Sequence, residues 1–323
     1  MWKLALAAVL LACACSQAPQ LFEPDAELAP YGDVGAGEGP AWHPEKGLYF
    51  SGGGRVTLRT LSGEIENVEL PGGGANGLMI DPQMRLVACQ PGAKRVIRIE
   101  RDGSLTVLAD NYLGAKFNSP NDLTIDSQGR IYFSDPRYGN RDGMEIRDPV
   151  DRMVEGVYRI DAPGQVVQVI VHEVDRPNGV LVSPNDEYLY VADNNNDNVG
   201  GARTLWRFNL NDDGSIDPAT KKMIFDWQDS RGPDGLEMDQ SGRLWVAGGR
   251  NEPVPPNETN TFGAGVYILS PDGQLLDTIP IPQDETTNVA FGDEDLQTLY
   301  ITAGGSLWSM RTAVPGLVSY QSR

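Results

Sequence analysis

One short phrase recurs six times along these 323 residues, and each copy opens on a polar side chain. The copies are Glu38-Gly-Pro-Ala-Trp42, Asn76-Gly-Leu-Met-Ile80, Asn121-Asp-Leu-Thr-Ile125, Asn178-Gly-Val-Leu-Val182, Asp234-Gly-Leu-Glu-Met238 and Asn288-Val-Ala-Phe291. A polar turn follows each, such as Asp126-Ser-Gln-Gly129, and then a second apolar run, such as Ile131-Tyr-Phe133 or Leu244-Trp-Val246. A self-similar unit of about 40 to 60 residues, made of short alternating runs and glycine-containing turns, marks a β-propeller rather than helical repeats. Six copies predict six four-stranded blades, and about 300 residues divided among them leaves each a typical blade length. The 37 Gly and 23 Pro, with no long stripe of 3.6-residue period, argue against a substantial helical layer. The expected fold class is all-β, a six-bladed β-propeller occupying one domain over residues 30–315.

The hairpin within each repeat implies a geometry. If the first run leads into the hairpin and the second returns, the residue opening the first and the residue closing the second lie at the same end of the blade. Glu38, Asn76, Asn121, Asn178, Asp234 and Asn288 therefore share one face, together with Asp135 and Asp193, which close second runs. The first strand of a propeller blade usually lines the central channel, so the openers should converge on the axis as a ring of oxygen donors. Taken singly, each has a plain explanation as a turn residue bonding nearby backbone. Six at equivalent places point instead to a shared site. Carboxylates and amide carbonyls without thiolates or imidazoles are hard ligands, suited to calcium, magnesium or manganese rather than to a closed zinc site.

The amino terminus carries processing information. Met1-Trp-Lys3 supplies a small positive region, Leu4 to Ala12 an apolar core, and Leu10-Leu-Ala-Cys13 has the form of a bacterial lipobox with Cys13 as the lipidated residue. Residues 1–18 are thus expected to be a lipoprotein-type signal and short tether, with plain cleavage near Ala18 as the alternative. Either places the mature chain outside the cytoplasm, in the bacterial envelope or periplasm. Of the 3 Cys, only Cys89 falls in the folded region, within Leu86-Val-Ala-Cys89, so a buried strand thiol and no disulfide framework are expected. With 45 acidic against 26 basic side chains the surface field is negative, which disfavours nucleic acid as a partner.

Several of these motifs together resemble a known family. They are Glu38-Gly-Pro-Ala-Trp42, Asn118-Ser-Pro-Asn-Asp122, Tyr132-Phe-Ser-Asp-Pro136, Arg176-Pro-Asn-Gly179, Tyr190-Val-Ala-Asp193, Gly232-Pro-Asp-Gly-Leu236 and Thr287-Asn-Val-Ala-Phe291. In order and over nearly the whole mature chain, they are similar to the gluconolactonase, senescence marker protein (regucalcin) and luciferin-regenerating enzyme family. The resemblance implies one divalent cation at the axis, with Glu38, Asn178 and Asp234 as its ligands and Asp234 also as the base. It implies that Asn121 orients substrate or water and that Asp135 is a second acidic residue near the substrate. Where regucalcin has an arginine that helps bind sugar, this chain has Ser119.

The function this implies is a metal-dependent hydrolase opening the ester bond of sugar lactones, with Ca2+ favoured by the extracellular setting and Mg2+, Mn2+, Zn2+ or Fe2+ as other candidates. The alternatives are a propeller that binds calcium or a sugar acid without turnover, and an envelope scaffold that presents a surface to another protein. A Ser-His-Asp triad is disfavoured because the chain has only 2 His, His43 in a turn and His172 in a strand-like run. Long loops at Pro136 to Glu155, Asn194 to Arg203 and Gly249 to Ala264 should rim the site, offering Arg137, Tyr138, Arg141 and Arg250 as contacts. Asp193-Asn-Asn-Asn-Asp-Asn198 lacks the spacing of an EF-hand loop and reads as a polar turn rather than a second cation site. A monomer is expected, since a closed propeller buries its strands without a partner.

Overall fold

The computed structural model describes residues 20–319; the amino-terminal segment with Cys13, and residues 320–323, lie outside the described residues. Twenty-four strands among the described residues form six four-stranded sheets, and the innermost strands touch in a closed ring. Blade one is β2 to β5 (Glu38–His43, Gly47–Gly52, Arg55–Thr60, Ile65–Val68) and blade two is β6 to β9 (Leu78–Ile80, Leu86–Gln90, Arg95–Ile99, Leu105–Ala109). Blade three is β10 to β13 (Leu123–Ile125, Ile131–Asp135, Gly156–Ala162, Gln165–Ile170), and blade four is β14 to β17 (Pro177–Val182, Tyr188–Asn194, Arg203–Leu210, Ile216–Asp226). Blade five is β18 to β21 (Leu236–Met238, Leu244–Gly248, Gly265–Leu269, Leu275–Pro280). Blade six joins β22 to β24 (Thr286–Gly292, Thr298–Ala303, Gly305–Arg311) to β1 (Ala29–Ala36). The six repeats thus become the six-bladed all-β propeller.

Closure is made by the two ends of the chain. Strand β1 pairs antiparallel with β24, Ala29 lying opposite Ser309 and Ala36 opposite Gly305. The folded region also exceeds the expected 30–315 at both ends. Leu21 is buried against blade five, and the Leu317 N–H donates to the Met238 carbonyl at 2.9 Å, drawing the carboxy-terminal segment across the hairpin end of the axis.

The core is divided among the blade interfaces. Strand side chains alternate between faces, and an inner blade is covered on both, so its second strand must be apolar at every position. In Leu86-Val-Ala-Cys89, Leu86 and Ala88 pack toward blade one while Val87 and Cys89 pack toward blade three. In blade three Ile131 and Phe133 face blade two, and Tyr132 between them faces blade four. Cys89 is fully buried, as expected, and its thiol is pushed well up by burial. The hairpin turns repeat a device of their own. Asp81, Asp126 and Asp239 each accept the N–H groups two and four residues on, and their second oxygens hold the side chain of Arg85, Arg130 or Arg243. An Asp followed by an Arg four residues later therefore closes the turn, at the end of the blade away from the openers.

Candidate active site

At the other end, the openers are set by their own strands and by the next blade. The Asp234 N–H donates to the Ala247 carbonyl at 2.8 Å and the Asn121 N–H to the Ser134 carbonyl at 2.9 Å, which tie each opener to its blade. The Gly77 N–H reaches the Asn121 carbonyl at 2.7 Å and the Gly235 N–H reaches the Thr287 carbonyl at 2.8 Å, which tie each to its neighbour. In four of the six phrases the residue after the opener is a glycine, for a steric reason. A Cβ on Gly39 would lie 2.1 Å from the Asn76 carbonyl oxygen, and one on Gly179 would lie 2.1 Å from that of Asp234.

Two closing carboxylates perform a related task. Asp135 accepts the N–H groups of Asn118 (2.8 Å) and Ser119 (2.7 Å), three and two residues ahead of Asn121. Asp193 does the same for Asp175 (3.0 Å) and Arg176 (2.8 Å), ahead of Asn178. Asp135 shares the opener end of its blade, but it is completely buried with both oxygens engaged by backbone. This corrects its expected place among substrate contacts: it positions the segment that carries Asn121.

Glu38, Asn178 and Asp234 come together, and a third carboxylate, Asp122, joins them. Burial pushes the Glu38 carboxyl well above the usual range, and the nearby Asp234 and Asp122 push it further. Burial also raises Asp122, to about 7. Asp234 rises too, burial outweighing the downward pull of the Arg231 guanidinium. Crowding buried carboxylates is unfavourable unless positive charge is shared among them. The hydrogen bonding points the same way, because the Asn178 Oδ1 and Asp234 Oδ1 atoms are buried without a hydrogen-bond partner. Both are acceptors only, so the fold leaves room there for a group that donates hydrogen bonds or carries positive charge. Among the described residues no three His, Cys, Asp or Glu side chains gather as a metal set by themselves. The candidate set here mixes two carboxylates with one amide oxygen, and its chemistry fits a hard divalent cation. Asn288 steadies Glu38, its Nδ2 donating to Oε2 at 3.3 Å.

Arg231 was not singled out from the sequence. Its Nη2 donates to Asp234 Oδ2 at 2.8 Å and its Nη1 lies 3.1 Å from Glu285 Oε2, leaving Asp234 Oδ1 as the oxygen free to face the axis. Both members of the pair are buried, where breaking such a contact costs about 3–5 kcal/mol. The signal was an Arg three residues ahead of the opener. Asp122 was legible as well, since it puts a charge where four of the six phrases have glycine. Its Oδ2 accepts the Val180 N–H at 3.2 Å, so it also holds β14 against blade three.

The surroundings differ from one side to the other. Glu38 and Asn76 line an open groove of about 430 Å3 floored by Gly52 to Gly54 and Gly72 to Gly74, a size suited to small molecules. Asp122 and Asn288 also reach a cavity of about 70 Å3 behind the site, closed at its far end by Leu317, Val318 and Ser319. The long loops of blades three to five stand opposite the groove. Of their expected contacts, Arg137 bonds its own loop at the Asn140 carbonyl, Arg141 pairs with Glu155, and Arg250 pairs with Glu258 and Glu285. Tyr138 instead lies under the Arg176 guanidinium, 5.1 Å from ring to Cζ, with its hydroxyl near Asp234.

The remaining polar motifs are structural. His43 Nδ1 accepts the Glu45 N–H at 3.1 Å in the blade-one hairpin, and His172 Nε2 pairs with Asp148 at 2.9 Å. Residues 193–198 are tied to the blade-four rim: Asn194 accepts the Gly232 N–H, Asn195 donates to Asp175, and Asp197 pairs with Arg176.

Comparison with known proteins places this arrangement. A family model described as the SMP-30/Gluconolactonase/LRE-like region matches residues 36–305. A gluconolactonase from Zymomonas mobilis is 31% identical over 252 residues, covering 75% of this chain but 64% of that protein, so the match spans under two thirds of it. A 6-deoxy-6-sulfogluconolactonase from Pseudomonas putida is 31% identical over 303 residues, covering 87% of this chain and 92% of its own. Among solved structures, a gluconolactonase from Xanthomonas campestris superposes with a TM-score of 0.72 at 28% identity, over 92% of this chain and 95% of that one.

Proposed function

Because the chain belongs to the SMP-30/gluconolactonase/LRE-like family, we propose that it hydrolyses the ester bond of sugar lactones with the help of one divalent cation held by Glu38, Asn178 and Asp234. The observation that carries this reading is the pair of buried, partnerless oxygens on Asn178 and Asp234, with the Glu38 carboxylate close enough to Asp234 to feel its charge. When bound, the cation supplies Lewis-acid polarisation of the lactone carbonyl. Asp234, with one oxygen held by Arg231 and the other facing the axis, takes the proton from the attacking water. As the new C–O bond forms, the ring C–O bond breaks, and the proton passes from Asp234 to the departing alkoxide to leave an open-chain hydroxy acid. Asn121, fixed by the clip from Asp135, orients the water or the substrate. Calcium is the ion proposed, because an exported protein meets it most readily.

The test is δ-gluconolactone hydrolysis by metal-stripped protein before and after adding Ca2+, Mg2+, Mn2+, Zn2+ or Fe2+. Stripping is expected to reduce turnover by at least about 100-fold, and one of these ions to restore it. Tight metal binding with no turnover on this or a wider lactone panel would replace the enzyme reading with a calcium- or sugar-acid-binding propeller.

We also propose export and acylation at Cys13, supported by its lipobox. The protein should partition into the detergent phase of a membrane extract, and Cys13→Ala should move it to the aqueous phase. Wild-type protein found wholly in the aqueous phase refutes the anchor.

A further inference from the structure

We propose that Tyr138 and Arg176 form a wall of the substrate site that donates hydrogen bonds to the hydroxyls of a neutral polyhydroxy lactone. The inference rests on the lactonase reading and names the substrate class of that same site. The Tyr138 hydroxyl and the Arg176 Nη2 are both buried without a hydrogen-bond partner. A buried donor left unpaired costs about 1–3 kcal/mol. Two of them on side chains in contact, beside Asp234 of the proposed cation site, are better explained by a ligand than by the fold.

Position supports this. The Tyr138 ring lies 5.1 Å from Arg176 Cζ, and its hydroxyl feels the charges of Asp234 and Arg231, which puts it on the Asp234 side of the site. Across the site, the buried Oδ1 atoms of Asn76, Asn178 and Asp234 are acceptors without donors. A hydroxyl both donates and accepts, so a polyol can satisfy the two sets together, with the cation sharing the latter. Ser119, at the place where the family resemblance leads one to look for a sugar-binding arginine, has its N–H turned to Asp135. The guanidinium comes instead from blade four.

The charge balance selects neutral lactones. Arg176 Nε already faces Glu155 at 3.1 Å and its Nη1 faces Asp197 at 2.8 Å. Arg231 is matched by Asp234 and Glu285. With the proposed cation matched by the carboxylates of Glu38 and Asp234, no surplus positive charge is left for a carboxylate or sulfonate on the substrate, and the chain's net charge of −19 opposes one.

Tyr138→Phe tests the wall without disturbing the fold, because the hydroxyl it removes has no partner in the protein. Calorimetry with 1,5-anhydroglucitol, a neutral ring that cannot be hydrolysed, is expected to show about tenfold weaker binding by the variant, with Tm unchanged or raised. On δ-gluconolactone its KM should rise about tenfold while kcat stays within about threefold. For wild type, a lactone bearing a carboxylate should show kcat/KM at least about tenfold below the neutral one. Equal binding by the two proteins, no binding by wild type, a lowered Tm with unchanged binding, or a preference for the anionic lactone overturns the proposal. Binding that depends on Tyr138 without any turnover leaves the wall standing and removes the hydrolase reading alone.

Discussion

Asp234→Asn is expected to lower kcat/KM on δ-gluconolactone by at least about 1,000-fold, even with metal at saturating concentration. A positioned general base contributes about 100- to 10,000-fold, and here the same residue also carries a partnerless oxygen at the proposed cation site. The asparagine keeps the volume but loses the charge that balances Arg231 at 2.8 Å. A second readout separates metal binding from chemistry. In wild type, metal at about 100 times its Kd should stabilise the fold by about 2.7 kcal/mol, and most of that increment should vanish in the variant. Turnover within tenfold of wild type would rule out Asp234 as the base.

Gly179→Ala should be among the most destabilising single-methyl changes at this face. The added Cβ would lie 2.1 Å from the Asp234 carbonyl oxygen and 2.8 Å from Leu236 Cδ2. Neither neighbour can move freely: the Asp234 N–H is bonded to Ala247, the Gly235 N–H is bonded to Thr287, and Leu236 is buried between blades four and five. Overpacking typically costs about 1–3 kcal/mol, and contact with fixed backbone puts this case at about 3 kcal/mol or more. For a domain of this size that lowers Tm by roughly 5 °C or more. The displacement falls on Asp234 itself, so metal-dependent stabilisation should shrink as well. Gly92→Ala is the control, since its Cβ would meet nothing within 4 Å; it should change stability by no more than about 0.5 kcal/mol. Equal melting of Gly179→Ala and the control would refute the close blade-to-blade approach.

These two residues show why so much of the site could be read in one dimension. An opener that must meet its counterparts at the axis, followed by a glycine that must clear the next blade, leaves a periodic trace. Glu38-Gly, Asn76-Gly, Asn178-Gly and Asp234-Gly are therefore visible without coordinates. Asp135 shows the limit of the same logic. Its place at the end of its strand was legible, but whether its oxygens faced a ligand or the backbone of residues 118 and 119 depended on how one loop folded back.

The sequence alone determined the repeat number, the all-β class, the common face of the six openers and the apolar demand on each second strand, because these follow from periodicity and from strand alternation. Tertiary structure alone decided three further matters. It brought β1 to β24 to close the ring, set Arg231 and Asp122 around the axial carboxylates, and stacked Arg176 of blade four on Tyr138 from the blade-three loop. Each joins residues by through-space geometry rather than by spacing. A non-periodic contact between distant segments costs only the entropy of closing the chain between them, and that leaves no mark in the local pattern of residues.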